Sequence, residues 1–115
     1  SVLVTTEATR GAAEAALGRP LDLRRFRPNL HLDLDAPAFA EERWEGGRLQ
    51  VGEVTLALLH PCVRCVIPTR DPGGPGRWPE LLRWLHRQRD ALFGINARVV
   101  AGGRVALGDR VTVTS

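Results

Sequence analysis

Both cysteines of the chain fall in one stretch, HPCVRCVIPTRDPG at 60–73, with Cys62 and Cys65 three residues apart. That spacing admits a disulfide, half of a zinc site, a dithiol redox pair, or one working thiolate beside a buried companion. A structural zinc takes four ligands, usually two Cys pairs or a Cys pair with a His pair. No second Cys-x-x-Cys occurs, and His31, His60 and His86 are scattered. A thioredoxin-like pair opens a helix whose N-terminus lowers the first thiol's pKa, whereas Val66-Ile67-Pro68 after Cys65 is not a helix start. A free Cys buries readily as a small apolar side chain, which suits Cys62 between Pro61 and Val63. Cys65 has Arg64 beside it, Thr69 and Arg70 close by, and a Pro/Gly-rich stretch beyond. A thiol among fixed cations is placed to be a thiolate, the form that ligates metals and attacks electrophiles.

Two further stretches carry polar chemistry. RRFRPNL at 24–30 sets three arginines around Phe26 and ends in Pro-Asn. Pro28 biases Arg27 toward extended backbone, which presents its guanidinium outward. Asn29 offers donors and an acceptor to a flat heterocycle or a phosphate ester. A solvated basic strand end is the plain alternative for this stretch. FGIN at 93–96 puts a Gly where backbone can approach closely, or is an ordinary helix-to-strand turn. No Ser-His-Asp arrangement or paired-carboxylate signature stands out, Gly73-Gly74-Pro75-Gly76 is too Pro-rich for a phosphate loop, and Asp33 and Asp35 read as solvated.

The elements that must position these residues are mainly strands. Val2-Leu3-Val4 alternates as a short strand, and TTEATRGAAEAALG then reads as a helix with Thr6 as N-cap and Gly18 as its stop. LHLDL at 30–34 alternates as a strand, and RLQVGEVTLALLH reads as two strands about Gly52-Glu53. VRCVI at 63–67 continues the second of these across Pro61 or forms its own strand. Residues 68–77, with three Pro and three Gly, are a loop. A second helix opens at Trp78-Pro79 and runs to about Asp90, with Trp78, Leu81, Leu82 and Leu85 as a core stripe and Arg83 and Arg87 on a solvated face. INARVVAGGRVALGDRVTVT closes the chain as short strands with turns at Gly102-Gly103 and Gly108-Asp109. The fold class is mainly β with two helices, as a single domain over 1–115.

At 115 residues the chain is long enough for one core without disulfide staples. No apolar run approaches the ~20 residues that span a bilayer, and no charged start leads into an apolar stretch, so the expectation is a cytoplasmic protein without membrane contact. The chain opens on Ser1 rather than Met, as a portion of a longer protein would. All 16 basic residues are Arg, and the net charge is +3. Arg forks onto phosphate, but the arginines are scattered and only Phe26 interleaves with them, which argues against a nucleic-acid groove. Pyridoxal phosphate held as an internal aldimine needs a Lys amine, and this chain has none.

Taken in order, VTTEAT (4–9), RFRPNL (25–30), AFAEERW (38–44) followed by LQVGEV (49–54), PCVRCVIPTRDP (61–72), and FGINARVV through GRVALGD (93–109) resemble one family. It is the MOSC domain, named for the C-terminal domain of molybdenum cofactor sulfurase, and within it the subgroup of the amidoxime-reducing component and its bacterial YcbX-like relatives. The resemblance covers nearly the whole chain. It implies a barrel-like β domain that binds the molybdenum cofactor (molybdopterin), with Cys65 as the metal ligand and catalytic residue. Arg27 and Asn29 match the family residues that hold the pterin and its phosphate. Thr6 matches the hydroxyl after the opening strand, Arg64, Thr69 and Asp71 fall inside the cysteine motif, and Asn96 lies in the closing one. The activity implied is two-electron reduction of small N-hydroxylated or N-oxygenated compounds with an external electron donor. A sulfur-carrier or cofactor-binding module without turnover is the alternative. Relatives usually carry an N-terminal β domain that shares in cofactor binding. This chain departs from the subgroup at Pro68, where a Thr is usual, at Ile95, where Gln is usual, and at Arg70, often small or apolar; these departures bear on substrate access.

Overall fold

The computed structural model describes residues 2–64, 71–72, 74 and 76–114. Six strands form one sheet that curls into a half-barrel, in the order β2-β1-β5-β4-β3-β6. They are β1 (Val2–Thr6), β2 (Leu30–Leu32), β3 (Arg48–Val51), β4 (Val54–Val63), β5 (Leu92–Ala101) and β6 (Val111–Thr114), with helices α1 (Glu7–Leu17) and α2 (Pro79–Arg89). Among the described residues only β1 and β2 pair in parallel, consistent with the α1 crossover between them, and the other pairings are antiparallel. Short 3-10 turns at Leu23–Arg25 and Ala40–Arg43 complete the elements.

Strand alternation sorts the core into two faces. One cluster joins Leu3 and Phe93 of the sheet to Ala13 of α1, to Leu81 and Leu85 of α2, and to Leu21, Phe26 and Trp78. The other is built from strand residues alone, among them Val4, Leu32, Leu49, Leu56, Leu58 and Ile95. The stripe expected on α2 is the buried one at Trp78, Leu81 and Leu85, with Leu82 half-buried and Arg83 and Arg87 exposed. Thr6 caps α1 by accepting the Thr9 N–H at 3.2 Å, and Gly18 ends it in the left-handed region.

Three boundaries differ from the sequence reading. β2 stops at Leu32 rather than at residue 34, because β1 offers no partner beyond Thr6, where the chain enters α1. The closing region is not a set of short strands at first: β5 runs ten residues against β4, which crosses Pro61 through register shifts. FGIN lies inside β5 rather than at a turn before it. Gly94 sits there at φ +80, and a Cβ would come within 2.9 Å of both the Val4 carbonyl oxygen and a Leu3 methyl. The close backbone approach read from the sequence is therefore present, and it seats β1 on β5.

The N-terminus of α1 is fastened by a buried carboxylate. Glu41 is wholly buried, and its oxygens accept from the Thr9 hydroxyl at 2.8 Å and the Thr6 hydroxyl at 3.0 Å. Thr9 Oγ1 in turn accepts the Phe39 N–H at 2.7 Å. Phe39 holds a left-handed backbone at φ +64, with the Arg89 guanidinium 3.6 Å from its ring centre and Arg89 paired to Glu42 at 2.8 Å. Thr9→Val keeps the shape but leaves Glu41 short of a donor and the Phe39 N–H without its acceptor. The expected cost is about 1–3 kcal/mol, read as a shift in the urea midpoint.

A second polar chain crosses from α1 to β2. His31 bridges the Thr5 hydroxyl and the Glu7 carboxylate, 2.8 Å on each side, and Arg10 pairs with Glu7 and Glu14. The Arg10 guanidinium, then the His31 ring, hold the Glu7 carboxyl down at about 2 from an ordinary 4.5. A lowered carboxyl pKa stabilises the fold above its ordinary value, and that contribution disappears as the pH falls toward 2. At 38% exposure of the side chain, solvent screening holds it to under ~1 kcal/mol. Glu7→Gln is expected to flatten the stability profile between pH 5 and 2, as followed by urea titration at each pH.

Candidate functional site

The cysteine stretch leaves the sheet at the end of β4, beside the start of β5. The Arg64 N–H donates to the Ala91 carbonyl at 2.7 Å, which ties the chain down where β4 ends. The Arg64 guanidinium lies 5.2 Å from the Phe26 ring centre, and its Nη1 reaches Cys62 Sγ at 3.2 Å. Phe26 is itself stacked on Phe93, with ring centres 3.9 Å apart and planes 7° from parallel. Phe93 on β5 thus supports an aromatic floor on which Arg64 rests. Cys62 is free and half-buried, packed against the helix-side cluster, in agreement with its reading as a core thiol. Cys65 and Thr69 lie outside the described residues.

Asp71, on the far side of that stretch, binds back to the same place. Its carboxylate pairs with Arg25 and lies 3.7 Å from Arg19. Both guanidiniums sit over Trp78, at 4.3 Å for Arg19 and 5.0 Å for Arg25. Arg25 is buried, so RRFR is not a solvated strand end; it is a 3-10 turn whose middle is core. The sequence gives little sign of this, because the groups that cover Arg25 lie far along the chain.

Arg27 corrects a second expectation. Its backbone is not extended but left-handed, φ +52, despite the Pro that follows. The Phe26 and Arg27 N–H groups both reach back to the Leu23 carbonyl, at 2.9 and 3.0 Å, closing the 3-10 turn with a left-handed cap. These cap bonds outweigh the bias imposed by Pro28. The outcome for the side chain is the one anticipated: Arg27 is exposed and has no partner among the described residues.

Asn29 lies against Leu3. Its N–H donates to the Leu3 carbonyl at 2.9 Å and its Oδ1 accepts the Leu3 N–H at 2.8 Å, so the side chain completes the ladder just before β2 begins. The Nδ2 donors are left without a partner among the described residues. Asn96 faces Leu3 from β5 and shares its side of the sheet, the side of Phe93 and Cys62, half-buried. Thr6 sits elsewhere: it is buried, and its hydroxyl is engaged with Thr9 and Glu41. Ile95 is fully buried in the opposite, strand-only cluster, so the departure at that position does not face this site.

Arg64 rests on the Phe26–Phe93 stack where the cysteine stretch departs, Arg27 follows Phe26 directly, and Asn29 and Asn96 both meet Leu3, which packs in the same cluster as the two rings. Arg25, Phe26, Phe93 and Trp78 pack beneath Arg64 and Asp71, and none of these was named as a site residue from sequence. Arg27 and Arg64 have no carboxylate partner among the described residues, and the buried Arg64 Nε has no hydrogen-bond partner there either. Such a donor set suits an anion and the polar edge of a flat ring. Among the described residues, no cluster of three or more His, Cys, Asp or Glu side chains could cage a metal.

Comparison with known proteins bears on this site. The family model described as the MOSC domain matches residues 1–112. The mitochondrial amidoxime-reducing component 1 of Danio rerio is 35% identical over 71 residues, which are 62% of this chain and 21% of that protein. Its Homo sapiens counterpart is 30% identical over 70 residues, 61% of this chain and 20% of that one. The chain thus matches about a fifth of the length of these relatives. Among solved structures, YiiM from Geobacillus stearothermophilus superposes with a TM-score of 0.70 at 16% identity, over 99% of this chain and 54% of that one. Among the described residues, no helix is long and apolar enough to cross a membrane.

Proposed function

The chain belongs to the MOSC domain family, and from that premise we propose that it holds a molybdenum cofactor through Cys65 and serves the reduction of small N-hydroxylated or N-oxygenated compounds. The observation that carries this reading is the set of unpaired donors beside the cysteine stretch. The buried Arg64 Nε lacks a partner among the described residues, and Arg27 is an exposed cation at a backbone position that an Arg takes only under constraint. An anionic, flat, polar-edged group satisfies these donors, so the residues present fit such a cofactor.

In this reading Arg27 binds phosphate as a planar fork, and Asn29 offers Nδ2 to a heterocycle edge while its Oδ1 stays on Leu3. Arg64, the residue before Cys65, adds a fixed positive charge to the site, its guanidinium lying against Cys62 Sγ. A metal that arrives within a cofactor needs few protein ligands, and a single soft thiolate suits it. When bound, the cofactor supplies two-electron chemistry at molybdenum. The overall change breaks the substrate N–O bond, takes two electrons from an external donor and two protons, and releases water.

The test is to load the chain with the cofactor and supply a chemical electron donor and an aromatic amidoxime. Amidine formation above the cofactor-free background supports the reading. Full loading without reduction would overturn the enzymatic part and favour a carrier or binding module.

A further inference from the structure

At the end of β5 far from Phe93, every residue from 98 to 108 is exposed. Val99, Val100, Val105 and Leu107 are among them, and Leu107 is wholly exposed. A single exposed Leu is ordinary on a protein surface. This one is held out at the tip of a turn that the chain fixes from two sides. The Asp109 N–H donates to the Ala106 carbonyl at 3.1 Å, and the Ala106 N–H donates to Asp109 Oδ2 at 2.8 Å. Gly108, at φ +90, supplies the left-handed third position that such a turn takes. The base is fastened by the same reciprocal pattern. The Glu53 N–H donates to the Arg104 carbonyl at 3.0 Å, and the Arg104 N–H donates to Glu53 Oε2 at 2.8 Å. Both ties close over Gly52, where a Cβ would come within 2.5 Å of Asp109 Oδ2 and 2.7 Å of the Arg104 carbonyl oxygen. β6 then returns the chain to the sheet at Val111. Residues 104–110 thus form a short finger that is exposed yet fixed on the turn between β3 and β4.

Arg104 and Arg110 bracket the finger and Arg98 precedes it on β5, all exposed and none in an ion pair among the described residues. The two carboxylates beside them, Glu53 and Asp109, are engaged by backbone N–H groups instead. The surface therefore presents apolar side chains between unbalanced positive charges. From this we infer that the finger is a docking site for another protein, one whose contact face offers an apolar socket to Leu107 and carboxylates to Arg104 and Arg110. A fixed apolar anchor within a polar rim is the usual anatomy of such contacts, and its rigidity lowers the entropy lost on binding. A second copy of this chain does not fit. Two fingers would set arginine against arginine, and the hollow beside Trp84 on α2 is itself walled by Arg83 and Arg87. Nucleic acid and a membrane surface fit less well, since 98–110 holds no aromatic side chain to stack on a base or sit among headgroups. The strand from Phe93 to Ala101 sets the finger on the order of 25 Å from the aromatic floor. Docking here does not depend on the function proposed above.

The probe is a fluorescein-labelled dodecapeptide of alternating Glu and Leu, which offers carboxylates and apolar side chains together. It is titrated with the chain at low salt, where surface charge is least screened, and followed by anisotropy. Saturable binding is expected, while matched peptides of alternating Lys and Leu, or Glu and Ser, should not bind. Leu107→Ser removes the anchor, and Arg104→Gln with Arg110→Gln removes the flanking charge. Each is expected to weaken binding by ~tenfold or more. Because these side chains are exposed, the thermal midpoints should stay near wild type. Arg83→Gln with Arg87→Gln, on the exposed face of α2, is the charge control and should change binding by less than ~twofold. Absence of saturable binding by the wild type, or wild-type binding by Leu107→Ser, would overturn the inference. So would equal weakening by the two arginine pairs, which marks net charge alone. Vesicles of phosphatidylcholine with phosphatidylserine form the last arm. Leu107-dependent binding to them in place of the peptide would make the finger a membrane contact and overturn the protein assignment.

Discussion

Replacing Phe93 with Ala is expected to destabilise the fold by about 3–5 kcal/mol, the cost of truncating a fully buried aromatic side chain. Phe93 is 0% exposed and stacks on Phe26 at 3.9 Å, so the change removes the floor beneath the site as well as core volume. The loss therefore has two readouts. The urea midpoint falls, and in any folded remainder the Arg64 guanidinium loses its fixed platform, so binding of an anionic ligand weakens as well. Phe93→Leu fills most of the volume and restores much of the stability without restoring the stacked floor. If Phe93→Leu recovered stability and ligand affinity together, the role given to the aromatic pair would be wrong.

The second large effect concerns the two cysteines, which are expected to behave unequally. If the proposed function holds, Cys65→Ser in the cofactor-loaded chain should lower amidoxime reduction by more than ~100-fold, since even groups that only orient metal ligands commonly account for 10–100-fold. Cys62→Ala should do much less. Cys62 is half-buried in the helix-side cluster and accepts Arg64 Nη1 at 3.2 Å, so its replacement costs about 1 kcal/mol of packing and lets Arg64 shift. Equal losses from the two substitutions would point to a dithiol acting as a unit.

Local signals were legible in the chain wherever the physics is local. Thr6 and Gly18 bracket α1, Pro79 opens α2, and Trp78, Leu81 and Leu85 mark its buried stripe, because caps and periodicity act within a few residues. The packing of Cys62 and the close approach at Gly94 were readable for the same reason. Burial of Arg25 was not, since its carboxylate is 46 residues away and a run of arginines otherwise reads as solvated. The left-handed Arg27 was hidden by Pro28, whose local bias loses to the cap on Leu23. Glu41 stood in plain view within AFAEERW, but its hydroxyl partners come from Thr6 and Thr9, 35 and 32 residues back. The candidate site residues were proposed from their motifs; the residues that pack around them became visible only through contacts distant in sequence.

The central claim is that Cys65 holds the metal of a molybdenum cofactor bound by this chain. The most direct measurement is molybdenum per chain, by elemental mass spectrometry, after the protein is produced with cofactor and passed through gel filtration. Wild type and Cys62→Ala are expected to retain molybdenum, and Cys65→Ser to lose it while remaining folded. Retention by Cys65→Ser at the wild-type level would contradict the assignment.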